Sequence, residues 1–215
     1  MDDIARLIEG FARFRTKYFE NRPELFDQLA RKGQTPRVMV VACCDSRVDP
    51  AIITDADPGD LFVVRNVANL VPPCETGGGY HGTSAALEFA VQSLCVRHII
   101  VLGHSQCGGI QSLLQGAKPP QGDFIIPWMA IAEEACRKVG ALHARAPAAE
   151  QQRACEQAAI QVSLRNLMSF PWIRQRVEQG ALHLHGWYFD IDRGALLHYN
   201  VRMNRFEEYE PGSAL

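Results

Sequence analysis

Two apolar runs in this chain break off in the same way, and that repetition limits the possible folds more than any other feature. Arg37–Cys43 (RVMVVAC) runs straight into Cys44, Asp45, Ser46 and Arg47, and His98–Leu102 (HIIVL) runs into GHSQCGG. Apolar runs of this length suit strands buried on both faces. A third run, Leu61–Arg65 (LFVVR), lies between them, and Thr83–Val96 has the composition of an apolar helix. Strands alternating with helices predict an α/β fold, a mostly parallel central sheet with right-handed crossovers flanked by helices. The carboxyl ends of such strands share one edge, and ligands bind there. The reactive residues after the first and third strands are therefore expected to meet.

The remaining segments fit around that sheet. Ile4, Leu7, Ile8, Phe11, Phe14 and Phe19 mostly follow an i, i+3, i+4 rhythm, predicting an amphipathic helix over Asp3–Phe19. A second helix is expected from Pro23 to Gly33, with Asn21 as a candidate cap. These two helices precede the first strand and are expected to extend over a partner subunit, packing on their own sheet being the alternative. The stretch VPPCETGGGYHG reads as a glycine-rich loop, CGGIQSLLQG as the start of a helix and KPPQGD as a loop. Further helices are expected over Ile126–Gly140, Ala148–Phe170 and Pro171–Gln179. In the tail, ALHLHGWYFDI and LLHYNVRM read as two strands joined by a turn at Asp192–Gly194, with an antiparallel strand at the sheet edge. No repeat or linker divides the chain, so residues 1–215 read as a single domain.

Composition removes several classes of function. A net charge of -2 with 21% charged residues gives no basic surface for nucleic acid. No apolar run approaches the ~20 residues that span a bilayer. The N-terminal stretch lacks the uninterrupted apolar core of a signal peptide, so the chain reads as cytoplasmic. Seven cysteines in a chain of 215 residues point to reduced thiols or metal ligands rather than a disulfide framework.

His104 and Cys107 stand at H-x-x-C spacing, and Cys43, Asp45 and Arg47 at C-x-D-x-R spacing. Each has a plainer reading alone: Cys43 as a small apolar filler, His104 as a satisfied polar group, Cys107 as a thiol at a helix start. Together, on neighbouring strands, two thiolates and one imidazole suit Zn²⁺ and leave its fourth position open. Strand alternation turns Cys43 and Cys44 to opposite sides, and the motif spacing selects Cys43. Cys74, Cys95, Cys136 and Cys155 have no partner at a metal-like spacing and are assigned structural roles.

These two motifs, together with GQTPRVMVVACCDSRV, FVVRNVANLVPP, GTSAALEFAV and IIVLGHSQCGG, resemble the β-class carbonic anhydrases, closely over Gln34–Leu114 and loosely elsewhere. The resemblance implies a zinc enzyme that interconverts carbon dioxide and bicarbonate by attack of zinc-bound hydroxide on CO₂. Cys43, His104 and Cys107 would be the zinc ligands. Asp45 would orient the hydroxide and Arg47 would hold Asp45. Gln34, Phe62, Val67, Phe89 and Gly108 fall at positions that line the substrate pocket; plant-type members more often carry Tyr where Phe89 stands. The resemblance further implies a homodimer or tetramer, with Gln34 donated across the subunit interface.

Val40 and Ala42 occupy positions where bicarbonate-regulated members carry Trp and Gly, placing the chain nearer the plant type and making that regulatory site unexpected here. Two other readings share the motifs: a carbon disulfide or carbonyl sulfide hydrolase on the same fold, and a non-catalytic zinc or redox-sensing module.

Overall fold

The computed structural model describes residues 3–77, 79–116 and 123–210. The chain divides into two compact units, Met1–Thr35 and Pro36–Leu215. In the first, helix α1 (Asp3–Arg15) continues through one wider turn, Thr16–Glu20, and is followed by α2 (Pro23–Lys32). Pro23 begins α2, where its missing N–H costs no hydrogen bond, and Gly33 ends it at φ 73°. Phe14 packs against Tyr18 at 5.0 Å and Phe26 at 5.7 Å, and Phe19 stacks on Phe26 at 4.6 Å between ring centroids. The outer stripe of α1, Ile4, Leu7, Ile8 and Phe11, is exposed.

The second unit is built on a six-stranded sheet. Its strands are β1 (Val38–Cys43), β2 (Leu61–Asn66), β3 (His98–His104), β4 (His183–Asp190), β5 (Ala195–Asn200) and β6 (Arg205–Glu208). The order is β2-β1-β3-β4-β5-β6; the first four are parallel and the last two pairings antiparallel. Helices α3 (Pro50–Ile53), α4 (Gly82–Glu88), α5 (Gly108–Leu114), α6 (Ile125–Leu142), α7 (Ala148–Leu167) and α8 (Pro171–Glu178) complete the unit.

Alternation sorts the strand residues by face. Met39, Val41, Ile99, Val101 and Tyr188 join Leu87, Ile160, Leu167 and Ile173 in the largest buried cluster. Val40, Ala42, Ile100 and Leu102 form a second cluster. Helix α7 approaches the sheet closely because two strand positions lack a side chain. A Cβ at Gly103 would lie 2.7 Å from Ile160 Cδ1, and one at Gly186 would lie 2.9 Å from Ile160 Cγ2. Truncating Ile160 to Ala would cost about 2–5 kcal/mol in such a site.

The expected α/β sheet with an antiparallel C-terminal edge is present, with four differences in detail. β3 runs on to His104, so that residue is the last of a strand. The helix expected over Thr83–Val96 is α4 followed by a wider turn, Phe89–Ser93. The tail holds three strands, because RFEE pairs with β5 as β6. The expectation of reduced thiols fails at one pair: Cys136 on α6 and Cys155 on α7 are disulfide-bonded, with Cα atoms 4.9 Å apart. Their wide spacing in sequence hides the pairing, which two packed helices create. Within the expected loop KPPQGD, Lys118–Gly122 lie outside the described residues, as does Gly78 of the glycine loop. Among the described residues no helix is long and apolar enough to cross a membrane.

Candidate metal centre

Parallel pairing brings the ends of β1 and β3 together, with Ala42 opposite Leu102. Cys43 closes β1, His104 closes β3, and Cys107 precedes α5 after a short turn in which Gln106 takes a left-handed φ of 59°. One ligand atom from each of Cys43, His104 and Cys107 lies within 4.8 Å of the others, and all three residues are buried. Cys44 is exposed, as alternation required.

The donor atoms of this cluster suit a cation. His104 Nδ1 lies 2.8 Å from the Ser105 carbonyl. A carbonyl only accepts, so Nδ1 carries the proton and Nε2 keeps its lone pair. That Nε2 is buried and has no hydrogen-bond partner. The two thiols share a proton: Cys107 donates to Cys43, which lowers the Cys43 pKa against the opposing effect of burial. The same hydrogen bond and burial raise Cys107. Burial pulls the His104 imidazole down, but the neighbouring Cys43 thiolate outweighs it and the net shift is upward. Two cysteine sulfurs, the shared proton leaving as an ion binds, and an orphaned imidazole nitrogen make a donor set that fits zinc.

Asp45 lies beside this cluster and is held by Arg47. Arg47 Nε donates to Asp45 Oδ1 at 2.9 Å and Nη2 to Oδ2 at 2.7 Å, a two-pronged contact. The Arg47 backbone N–H adds a third bond to Oδ1 at 3.0 Å. The guanidinium keeps the carboxyl well below the usual carboxylate range, so Asp45 acts as an acceptor only. Arg47 Nη2 also donates to the Gln106 carbonyl at 3.1 Å, and Gln106 Nε2 donates to Asp192 Oδ1 and Oδ2 at 2.8 and 2.7 Å. Arg65, from β2, bonds the Cys43 carbonyl at 2.9 Å, the Asp45 carbonyl at 2.7 Å and Asp49 Oδ2 at 2.9 Å. Asp49 Oδ1 in turn caps α3 by accepting from Ala51 N at 3.0 Å.

Behind Cys107 lies a group that the sequence reading missed. Glu156, on α7, is only 3% exposed. It accepts from the Cys107 backbone N–H at 2.9 Å, from Gln152 Nε2 at 2.9 Å and from the Tyr188 hydroxyl at 2.8 Å. Burial raises its pKa, and these donors oppose the shift. The available signal was an acidic residue one turn before Ile160, on the buried face of a helix.

The expected pocket residues fall in three places. Val67 and Gly108 line one cleft of about 390 Å³ together with Gly109, Leu113, Ile125 and Met129. Phe62 and Phe89 pack on each other at 5.9 Å between ring centroids. Phe62 pairs with Met39, four residues before Cys43, which places it roughly 13 Å back from the ligand edge. Gln34 belongs to the N-terminal unit and is exposed.

The fold and this donor set define a mostly parallel α/β protein with a thiol–imidazole cluster able to hold a metal at its carboxyl edge. A family profile described as carbonic anhydrase matches residues 38–196. "Beta carbonic anhydrase 5, chloroplastic" of Arabidopsis thaliana is 42% identical over 196 residues, covering 88% of this chain; the chain spans only 62% of that relative's length. The solved structure of the β-carbonic anhydrase CcaA superposes with a TM-score of 0.89 at 36% identity, covering 96% of this chain and 99% of that one. Tetrameric β-carbonic anhydrases of the ascomycete Sordaria macrospora give 0.77 at 28% identity, with both chains fully covered. The chain belongs to the β-class carbonic anhydrase family.

Proposed function

We propose that the chain catalyses the reversible hydration of carbon dioxide to bicarbonate and a proton, with zinc held by Cys43, His104 and Cys107. The observation that carries this reading is the buried, unpartnered His104 Nε2 facing two thiols, next to a carboxylate locked by Arg47. When bound, zinc lowers the pKa of a water so that hydroxide is available near neutral pH.

The chain's own residues supply the rest. Asp45, ionised and accepting only, takes a hydrogen bond from the attacking O–H and fixes the direction of its lone pair. Arg47 holds both oxygens of Asp45 and would keep it from turning onto a bound ion. The apolar cleft at Val67 and Gly108 admits a nonpolar substrate. Phe62 lies too far along β2 to touch a substrate at its own chain's Cys43, and Phe89 packs on Phe62. We therefore place them, with Gln34, in a neighbouring copy's site, where the Gln34 amide donates to a bicarbonate oxygen. The exposed stripe on α1 supports the same arrangement, a homodimer as the smallest active unit, and the Sordaria relatives are described as tetrameric.

Zinc content and stopped-flow CO₂ hydration of the purified chain and of Cys43→Ser test the reading. One zinc per chain at this site and rapid hydration are expected in the wild type, with both lost in the variant. Full zinc without hydration would overturn it, and turnover of carbonyl sulfide or carbon disulfide alone would replace CO₂ as the substrate.

A further inference from the structure

The amino edge of the same sheet carries a second convergence of ligand side chains, which the reading above leaves unused. β3 begins at His98, and β4 begins His183-Leu184-His185. His98 and His183 are register partners across the parallel pair. Residues two apart in a strand project from one face, so all three imidazoles rise from the same side of the sheet. They are also close together. His98 Nδ1 lies 3.1 Å from His185 Nε2, and the His98 ring lies 5.4 Å from that of His183 and 5.3 Å from that of His185.

A nitrogen–nitrogen contact of this length holds one proton between two bases. A neutral imidazole can carry its proton on either nitrogen, and moving the shared one to an outer nitrogen leaves two lone pairs face to face. Two ligands at ~2.0–2.1 Å on a tetrahedral zinc ion stand roughly 3.4 Å apart, so a small rotation of these rings brackets an ion. His183 is exposed, and its ring has to swing inward to complete a site, because the three histidines do not yet bring one nitrogen each within 4.8 Å of one another. Burial holds His98 and His185 below the ordinary imidazole value, with the charge of neighbouring histidines acting in the same direction.

We propose that His98, His183 and His185 form a second, all-imidazole site for a divalent transition-metal ion of the zinc, nickel and copper class. An ion there clips the start of β4 to the start of β3, roughly 20 Å along β3 from His104. It binds more weakly than at the thiolate centre, because imidazoles bring no negative charge and Arg97 adds an opposing positive one.

Zinc is the probe, and the full chain is dialysed against excess Zn²⁺ before metal is counted. The wild type is expected to hold two ions per chain, His183→Ala one ion with CO₂ hydration unchanged, and Cys43→Ser one ion with hydration lost. X-ray absorption of the second equivalent should show nitrogen and oxygen neighbours with imidazole scattering and no sulfur. A single ion in the wild type would overturn the proposal. So would a second ion whose affinity falls less than tenfold in both His183→Ala and His185→Ala, which would mark an adventitious ion only. A wild type that binds two ions but hydrates no CO₂ would sink the proposed activity and leave this site standing.

Discussion

His98 and His104 stand at the two ends of one strand, and the two ends surround them differently. At the carboxyl end the chain leaves β1 and β3 into turns that start helices. The polar groups there are braced from several elements: the Ser105 carbonyl partners His104, Glu156 of α7 the Cys107 N–H, and Arg65 of β2 the carbonyls of Cys43 and Asp45. His104 is 1% exposed, yet only one of its nitrogens lacks a partner, and that one faces the thiols. At the amino end the histidines partner one another, and His183 is exposed. Ligand residues thus occur at both edges, but only the carboxyl edge holds them in a fixed, braced arrangement. Such partners fix the orientation of side chains that could hold a metal and would tune its chemistry.

The largest expected effect tests whether the thiolate end is the reacting one. Cys43→Ser or Cys107→Ser should cut CO₂ hydration by on the order of 10³-fold or more, with zinc lost from the carboxyl edge alone. Hydration that survives either change would erase the contrast between the two ends. Arg47→Ala comes next. Zinc should remain, while a freed Asp45 turns onto the metal and hydration falls by about 10²-fold. Metal content measured beside the rate separates this outcome from loss of the ion.

Glu156→Gln addresses the brace itself. It places an amide against three donors, and zinc affinity in competition with a chelator should fall roughly 10–100-fold; equal affinity would mean that the Cys107 turn holds itself. A pH profile sharpens the chemistry further. Two thiolates donate more charge to zinc than three imidazoles do, so hydration should climb from neutral into alkaline pH by at most about tenfold per unit. Asp45 does not contribute to that climb: Arg47 holds its pKa below the usual range, so it is ionised throughout. A flat profile would remove the argument from donor charge. The smallest effect is at the other end, where metal-free His183→Ala should change unfolding stability by no more than about 0.5 kcal/mol.

Much of this was readable because the signals are periodic or chemical. The runs at Val38–Cys43 and His98–His104 are apolar on both faces, and their abrupt polar endings marked the edge where the site lies. β6 was not readable: Arg205–Glu208 (RFEE) has one apolar residue and becomes a strand only because β5 offers it a free edge. Glu156 was missed for the opposite reason. Helix α7 is long and rich in polar residues, so one more acid stands out only when the helix is turned to show which face is buried. The Cys136–Cys155 pair and the Gln106–Asp192 contact join residues far apart in the chain, and spacing carries no trace of either. The three histidines of the amino edge lay in plain view, but nothing local in the sequence brings β3 and β4 into register.

The contact from Arg47 to Gln106 to Asp192 also bears on where this chain could be lengthened. Hairpin turns are the usual places to graft a peptide or open new termini, and the turn at 191–194 looks suitable because Asp192 and Arg193 are exposed. Yet Asp192 takes both bonds from the Gln106 amide, and Gln106 supports the guanidinium that holds Asp45. An insertion there would be felt at the metal centre. The next turn, residues 201–204, is exposed throughout and joins β5 to the edge strand β6, remote from that chain of contacts. A graft belongs in the second hairpin, although the first is as open to solvent.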